Sequence, residues 1–155
     1  MGIPQLLNTG IHENVLFGTD VKIIQPVNLY GCSIGDNCFI GPFVEIQKNV
    51  KVGKRTKIQS HSFVCELVTI GEDCFIGHGV MFINDLFLSG APAGGDQTKW
   101  KSTFIGDHVS IGSNVSILPV SICDHVVIGA GSVVTRNISK SGIYAGNPAV
   151  FIREI

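Results

Sequence analysis

The sequence predicts an all-β fold, a parallel β-helix of about six triangular coils with one long inserted loop and a short C-terminal tail. Three observations carry the prediction. An Ile or Val recurs every sixth residue, the breaks in this repeat follow whole groups of three hexads, and the chain has 19 Gly. Abundant Gly with few aromatic residues favours tight corners over long helices. The repeat positions are Val15, Val21, Val27, Ile34, Ile40, Ile46, Val52, Ile58, Val64, Ile70, Ile76, Phe82, Ile105, Ile111, Ile117, Ile122, Ile128 and Val134.

The breaks define the coil as three hexads of about 18 residues. The step is seven residues after Val27, 23 after Phe82 and five after Ile117. Insertions therefore recur at one corner of a triangular coil, with a short strand on each side. We expect one domain over residues 1–155, with coils over 15–139, the inserted loop over 86–103 and the tail over 140–155.

The side chains of the hexad suit a buried, pleated surface. The repeated Ile or Val is expected to point into the coil and stack on its equivalent one coil away, because β-branched residues pack well in such strands. An antiparallel sandwich with period-2 strands does not hold a six-residue phase over nine hexads. Small or branched residues stand four positions after the inward residue, where they complete the turn: Cys38, Val44, Val50, Thr56, Ser62, Val68, Cys74 and Val80.

The composition excludes several classes of protein. A net charge of −1 with 15% charged residues lacks the basic excess of a nucleic-acid binder. No apolar run is long enough for a membrane span, and the N-terminus lacks the features of a signal peptide, so we expect a cytoplasmic protein. The five Cys contain no C-x-x-C pair and are interpreted as small buried hydrophobic residues.

Two stretches and the C-terminal end resemble the hexapeptide-repeat acyltransferases. They are IGDNCFIG at residues 34–41, IGAGSVVT at 128–135 and AGNPA at 145–149. The resemblance spans nearly the whole chain from about residue 15. It implies a left-handed helix, a homotrimer and acetyl-CoA bound as co-substrate in a groove between subunits, with no metal. The repeat alone does not give the handedness, since ordinary parallel crossovers are right-handed.

A closer resemblance is to the nucleotide-sugar N-acetyltransferases, and it lies in three stretches at residues 43–50, 59–62 and 76–85. Such enzymes acetylate the 3-amino group of a dTDP-3-amino-3,6-dideoxyhexose or a UDP-3-amino uronic acid. The specific part is FIND at 82–85, followed by a long loop. The loop lacks the Lys-Tyr-Pro-Arg associated with the uronic-acid type, which favours a dTDP-sugar. The chain also departs from the family at residues 117–120, where Leu-Pro is not followed by Gly.

Three polar residues recur 18 apart, each two residues after an inward side chain: Lys48, Glu66 and Asn84. Residues one coil apart lie above one another, so we expect them to form one outward-facing set, called the polar column below. Asp85 follows where the 17 extra residues of the inserted loop begin, and loops of this length are uncommon unless functional. The spacing by itself also fits a solvated polar stripe on the coil surface.

The resemblance implies that residues matching Glu66 and Asn84 line the sugar site. Amine acylation needs a placed amine, a proton acceptor and donors for the oxyanion. We expect catalytic roles for Asn84, which positions the amine or the oxyanion, and for Glu66 and Asp85, which hold the ammonium and the sugar hydroxyls. The acceptor of the first proton stays open. The departing CoA thiolate can take the last proton of the amine.

Further candidates surround these residues, with Lys48, Gln59, His61, His78 and Trp100 expected to bind substrate. His61 and His78 are 17 apart, and each fits either a general base or a structural turn residue. His108 and His125 share this spacing and are interpreted as a stacked surface pair. Trp100, between Lys99 and Lys101, fits either stacking on a nucleotide base, with a lysine at the diphosphate, or anchoring of the loop on a neighbouring subunit.

The CoA-binding candidates lie in the last coils and the tail. Ser113 and Ala130 hold equivalent corner positions in the last two coils, where the resemblance implies backbone contacts to the pantetheine amides, and Gly129, next to Ala130, is included in the CoA site. Arg136, Lys140 and Arg153 form a basic cluster that suits the CoA phosphates.

Three other functions remain open at this level. A hexapeptide-repeat O-acetyltransferase needs a true base, usually His, and a non-catalytic scaffold needs no polar groups gathered at a loop. The γ-class carbonic anhydrases share the fold but bind zinc through three His, two of them five residues apart. No two His in this sequence are five apart, which argues against a metal enzyme.

Overall fold

The computed structural model describes residues 10–155, so the first nine residues of the predicted domain lie outside the described part. This part contains 20 short strands and one 3₁₀ helix, Gln97–Lys99. The first three coils contain β1 (Leu16–Phe17), β2 (Lys22–Ile23), β3 (Asn28–Leu29), β4 (Ser33–Ile34), β5 (Phe39–Ile40), β6 (Glu45–Ile46), β7 (Lys51–Val52), β8 (Lys57–Ile58) and β9 (Phe63–Val64). The later strands are β10 (Val68–Ile70), β11 (Phe75–Ile76), β12 (Met81–Phe82), β13 (Thr103–Ile105), β14 (Ser110–Ile111), β15 (Ser116–Ile117), β16 (Ser121–Ile122), β17 (Val126–Ile128), β18 (Val133–Val134), β19 (Gly142–Ala145) and β20 (Val150–Arg153).

The strands stack into three parallel ladders, one on each side of the coil. Ladder 1 runs β1-β4-β7-β10-β13-β16, ladder 2 runs β2-β5-β8-β11-β14-β17-β19-β20, and ladder 3 runs β3-β6-β9-β12-β15-β18. Each coil passes from ladder 1 to ladder 2 to ladder 3 and then returns to ladder 1. The predicted all-β parallel helix is therefore confirmed. Among the described residues, no helical segment is long and apolar enough to cross a membrane.

The core is the predicted stack of inward Ile and Val. From Ile34 to Val134 every repeat position is at most 5% exposed, and its backbone pairs with its equivalent in the next coil, as Ile40 does with Ile58. The eight predicted corner positions from Cys38 to Val80 are also buried. Burying one such side chain contributes roughly 1.5–3 kcal/mol, so the stack is the main source of stability.

The prediction for the first coil was wrong in register. Phe17, Ile23 and Leu29 pair with Ile34, Ile40 and Ile46, so they take the inward strand positions predicted for Val15, Val21 and Val27. The three Val lie two residues earlier, at the corner position. Because this coil is 17 residues long and both positions carry apolar side chains, the repeat fits either phase. Phe17 is 41% exposed, so its inward position is less enclosed than the equivalent positions of the later coils.

The inserted loop leaves the ladders undisturbed. Val68 and Ile70 in β10 pair with Thr103 and Ile105 in β13, as consecutive coils would without an insertion. The chain leaves after Asp85 and returns at Thr103, at the corner where ladder 3 leads into ladder 1. The long excursion therefore stands outside the core, beside the polar column.

The predicted tail is partly a continuation of the helix. β19 adds in parallel to β17, and Ile138 bridges to Ile122, so the solenoid extends to about seven turns instead of six. β20 then folds back antiparallel on β19. The hexad phase ends at Val134, so the repeat could not reveal this last turn. Tyr144 is partly buried and packs against the core at the position that Ile or Val occupies in the preceding coils of ladder 2.

Candidate functional site

The structure brings the three residues of the polar column together. Each follows the end of a ladder 3 strand by two residues, after β6, β9 and β12 respectively. The Lys48 Nζ lies 3.6 Å from Glu66 Oε1, and the Asn84 amide Nδ2 donates to the Glu66 carbonyl oxygen at 3.3 Å. The 18-residue spacing therefore places an ammonium, a carboxylate and an amide on successive coils.

Glu66 is more enclosed than the expected outward-facing position, with only 7% of the residue exposed. Ionised carboxylates are almost never buried to this degree unless they are paired. The Lys48 ammonium supplies the charge partner, and its own side chain remains 46% exposed. A solvated polar stripe would not bury its central carboxylate, so this burial favours a binding role for the column.

A second group of polar residues lies beside Glu66, at positions for which the sequence predicted no role. The Gln47 side chain accepts from the Glu66 backbone N–H at 3.3 Å and donates to Glu45 Oε1 at 2.9 Å. The Tyr30 hydroxyl donates to the same Glu45 oxygen at 3.5 Å. Burial, with the negative charges of Glu45 and Glu66, raises the pKa of Tyr30. Gln47 directly precedes Lys48, and Tyr30 stands at the equivalent position one coil earlier, which was the sequence signal for both.

Asp85 is engaged by the inserted loop. Its Oδ1 accepts from the Phe87 backbone N–H at 2.9 Å and its Oδ2 from the Ala93 N–H at 2.7 Å. The returning strand of the loop is tied to the column as well, since the Lys101 N–H donates to the Asn84 carbonyl at 2.9 Å. Both carboxylate oxygens of Asp85 therefore hold the loop, and its neighbour Asn84 marks the point where the loop closes.

The inserted loop encloses a cleft of about 370 Å³ that Asp85 lines together with Lys99 and Lys101. The Asp96 carboxylate begins the short 3₁₀ helix by accepting from Thr98 N–H at 3.1 Å and from its hydroxyl at 2.6 Å. These bonds and the nearby Lys99 ammonium lower the pKa of Asp96. Trp100 follows the helix and is half-buried, outside the residues that line this cleft.

The two candidate histidines lie at the corner between ladders 2 and 3, one strand away from the column. The His78 Nδ1 is 2.8 Å from the Ser60 hydroxyl, and the ring is exposed. The His61 ring stacks on Phe43 with centroids 4.8 Å apart. Within one chain neither ring therefore reaches Asn84. His108 and His125 stack with centroids 4.8 Å apart on the exposed corner between ladders 1 and 2, as the spacing predicted.

Gln59 lies apart from the column on the outer face of ladder 2. It lines an open groove of about 660 Å³ with Lys22, Phe39 and Lys57. Within one chain, ladder 2 is the side of the triangle opposite the corner that carries the column. A shared site for Gln59 and Glu66 therefore requires two copies of the chain.

The CoA candidates share the His78 corner. The Asn114 N–H donates to the His78 carbonyl and the Gly131 N–H to the Ser113 carbonyl, both at 2.8 Å, so Ser113 and Ala130 stand on successive coils beyond His78. At Gly129 a Cβ would stand 2.9 Å from the Ala145 Cβ, so glycine is needed there for packing against β19.

The basic residues of the tail are only partly available for phosphate. Lys140 Nζ pairs with Glu154 Oε1 at 2.6 Å and lies 4.8 Å from the Phe151 ring centroid. This hydrogen bond and the Glu154 charge raise the pKa of Lys140. The Arg153 Nη1 donates to the Glu154 carbonyl at 2.9 Å, and Arg136 is exposed.

The described residues contain no group of three or more His, Cys, Asp or Glu placed to hold a metal ion.

The buried thiols are poor nucleophiles, because burial disfavours the thiolate form. Burial raises the pKa of Cys32 to about 11 and that of Cys65, next to Glu66, to about 12. A thiolate nucleophile is therefore not supplied by Cys65 at neutral pH.

Two family models match the chain. One is described as "Bacterial transferase hexapeptide (six repeats)" over residues 31–66, and the other as "Hexapeptide repeat of succinyl-transferase" over 67–81 and 103–136. Together they cover more than half of the residues, and the second is interrupted at the inserted loop.

The sequence is also similar to curated proteins. The "Bifunctional protein GlmU" of Acetivibrio thermocellus is 32% identical over 125 residues, which are 80% of this chain and 24% of that protein. The chain therefore spans about a quarter of the length of such relatives.

Solved structures share the fold. Two point mutants of AntD, an N-acyltransferase from Bacillus cereus in complex with dTDP and coenzyme A, superpose with TM-scores of 0.78 and 0.77 at 24% and 25% identity. Each match covers 89% of this chain and 82% of AntD. A mutant of perosamine N-acetyltransferase from Caulobacter crescentus, in complex with CoA and GDP-perosamine, gives 0.62 at 20% identity and covers 93% and 56% of the two chains.

Proposed function

Because the chain belongs to the hexapeptide-repeat transferases, we propose that it is an acetyl-CoA-dependent N-acetyltransferase acting on the 3-amino group of a nucleotide-linked amino sugar. A dTDP-3-amino-3,6-dideoxyhexose is the favoured acceptor. The observation that carries the proposal is the buried Glu66 carboxylate at the base of the inserted loop, which pairs with the Lys48 ammonium while the Asn84 amide donates to the Glu66 backbone carbonyl. A buried carboxylate suits a ligand that brings one positive charge, as a sugar ammonium does.

The similarity to AntD supports the nucleotide and the cofactor in this proposal. AntD binds dTDP and coenzyme A, and the perosamine enzyme binds CoA and a GDP-linked amino sugar. By analogy we infer the left-handed helix, the homotrimer and a CoA groove between subunits. The separation of the polar column from Gln59, Ser113 and Ala130 within one chain supports such a shared site. A stable, fully active monomer in sedimentation experiments would contradict the shared site.

The chemistry follows from the properties of the column. Glu66 holds the incoming ammonium, which loses one proton to the surrounding water before its nitrogen attacks the thioester carbonyl carbon. The Asn84 amide can both donate and accept, so it suits positioning of the amine or of the oxyanion that forms. The C–S bond then breaks, and the CoA thiolate leaves and takes the second proton of the amine. Asp85 acts through the loop, since both of its oxygens hold loop amides.

A second candidate is an O-acetyltransferase, favoured by the contact between His78 and Ser60. A hydroxyl acceptor needs a general base, and an exposed His oriented through Nδ1 by a partner leaves Nε2 for that role. The Ser60 contact at 2.8 Å provides such an orientation. The two candidates differ in the residue they require, since the N-acetyltransferase depends on Glu66 and Asn84 and the O-acetyltransferase on His78.

The experiment that tests the proposal is a screen of acceptors with acetyl-CoA. The panel contains dTDP-, UDP- and GDP-linked 3-amino sugars, each beside its 3-hydroxyl counterpart, and products are detected by mass spectrometry. We expect acetyl transfer to an amino sugar, strongest with a dTDP-linked one, and none to the hydroxyl counterparts. Transfer to the hydroxyl sugars that disappears in His78→Ala would instead establish the O-acetyltransferase. No transfer to any acceptor would refute both.

A further inference from the structure

The two partners of the ion pair at Glu66 differ in solvent exposure, and this difference bears on how a cationic ligand would bind. Glu66 is 7% exposed, whereas the Lys48 side chain is 46% exposed and its Nζ lies 3.6 Å from Oε1. That distance is longer than the 2.7–2.9 Å of a strong charge-assisted hydrogen bond. The carboxylate is fixed in the protein, while its cation reaches in from the solvent side and is held loosely.

Neighbouring residues hold the backbone of Glu66 and pack closely against the root of Lys48. Gln47 accepts from the Glu66 N–H and is itself anchored on Glu45. A Cβ on Gly31 would stand 2.7 Å from the Lys48 Cβ, so the absence of a side chain at Gly31 lets the Lys48 stem pack closely against that backbone. Beyond Cβ the stem is flexible, so the mobile part of the pair is the terminal ammonium.

We propose that the Lys48 ammonium is a placeholder that occupies, in the free protein, the position which the ammonium group of the amino sugar takes when it binds. This inference rests on the proposed function. Both groups are primary ammonium ions with one positive charge and three donors. When the sugar enters, Lys48 turns outward into solvent, and Glu66 exchanges one ammonium for another without a stage in which a buried carboxylate is left unpaired.

Substituting a placeholder residue should change sugar affinity in the opposite direction to substituting a residue that binds the sugar. Because Lys48 competes with the sugar ammonium, its removal strengthens sugar binding, whereas removal of a residue that contacts the sugar or its diphosphate weakens it. Arg pairs with carboxylates through a planar two-pronged contact, so Lys48→Arg tightens the internal pair and weakens sugar binding. A purely structural role for Lys48 does not give opposite signs for these two substitutions.

The test is isothermal titration of the full-length protein with dTDP-3-amino-3,6-dideoxyglucose. We expect Lys48→Met to lower the Kd about two- to fivefold, the range for a partly exposed ion pair, and Lys48→Arg to raise it. Lys51→Met, which removes an exposed lysine three residues away, is the matched control and should leave the Kd unchanged. In a Glu66→Gln background the Lys48→Met substitution should have no effect, because no pair remains to compete.

The possible failures are distinguishable from one another. If amino sugars are acetylated but Lys48→Met raises the Kd or leaves it unchanged, the placeholder is wrong and the proposed function stands. If no amino sugar in the panel is bound or acetylated, the proposed function itself fails and the placeholder fails with it. Should Lys48→Met not fold, Lys48→Gln in its place gives the same expected sign, and an unchanged or raised Kd there overturns the placeholder.

Discussion

Two corners of the helix stack charged residues at the same coil spacing, yet they differ in what the charges can do. At the corner between ladders 1 and 2, Arg55 contacts Asp73 through two bonds of 2.7 Å and Glu72 through one of 3.0 Å. These side chains are between about a third and a half exposed. At the corner that carries the polar column, a nearly buried Glu66 has one cation at 3.6 Å. In the first arrangement each charge has close partners in the chain, whereas in the second a buried carboxylate has a single, more distant charge partner.

The comparison teaches that stacking alone does not mark a site. Coil spacing will line up polar side chains at any corner, and most such sets end as exposed ion pairs worth little to stability. The distinguishing features of the polar column are the burial of its anion and the loop that begins beside it. Four substitutions probe this difference, beginning with the one that should reduce activity most.

Asn84→Ala should have the largest effect on turnover. If the Asn84 amide stabilises charge at the reacting centre, its loss lowers kcat by about 10²–10³ and changes KM less. The coil should still fold, because the Ile and Val stack does not involve Asn84. Steady-state kinetics with varied amino sugar, together with circular dichroism, check this. Unchanged kinetics in a folded variant would falsify the site assignment.

Glu66→Gln should act mainly on acceptor binding. Gln keeps the shape of the side chain but removes the negative charge that holds the ammonium, so we expect the sugar KM to rise about 10- to 100-fold with the KM of acetyl-CoA spared. Kinetics with each substrate varied in turn separate the two. An effect confined to acetyl-CoA would place the column in the cofactor site instead.

Asp85→Asn should release the inserted loop while leaving the column in place. One amide oxygen cannot accept both loop N–H groups as the two carboxylate oxygens do, and we expect about a tenfold rise in the sugar KM. Faster proteolysis within residues 86–103 should accompany it, which a direct catalytic role does not predict. Asp96→Asn is a control in the same loop, where Asp96 caps only the short 3₁₀ helix. A fall in kcat with unaltered proteolysis would instead indicate that Asp85 acts directly at the reacting centre.

Arg55→Gln should have the smallest effect, with activity at the wild-type level. Hydrogen bonding and charge from Arg55 lower the pKa of Asp73, so the stability this pair adds is present at neutral pH. It is lost as the pH falls below the ordinary carboxyl value of 3.8 through the lowered pKa. The variant should therefore match wild type in acid unfolding below that range and differ slightly above it. A large loss of activity would remove the contrast between the two corners.

Much of the fold and part of the site followed from periodicity. The repeat predicted the inward stack, the corner that carries the insertion and the alignment of Lys48, Glu66 and Asn84, because each depends only on counting residues per coil. The register of the first coil was missed because Val15 and Phe17 both fit an apolar position there. The turn formed by β19 was missed because its residues depart from the hexad.

The burial of Glu66 and the hydrogen bonds of Asp85 could not be predicted by counting residues per coil. Burial depends on the side chains of adjacent coils, among them Gln47, which no repeat position singled out. The Asp85 contacts depend on the path of the inserted loop, where the repeat gives no register. Sequence reasoning therefore brought the candidate residues together but did not show that Asp85 holds the inserted loop.

The unbroken pairing of Val68 with Thr103 across the inserted loop bears on how such a protein can diversify. Closing a longer loop costs only about 0.6 kcal/mol for each doubling of its length. Segments of different size and chemistry can therefore replace residues 86–102 with little penalty to the coil beneath. Evolution can then vary the chemistry presented at this one corner, while the stacked coils beneath it stay unchanged.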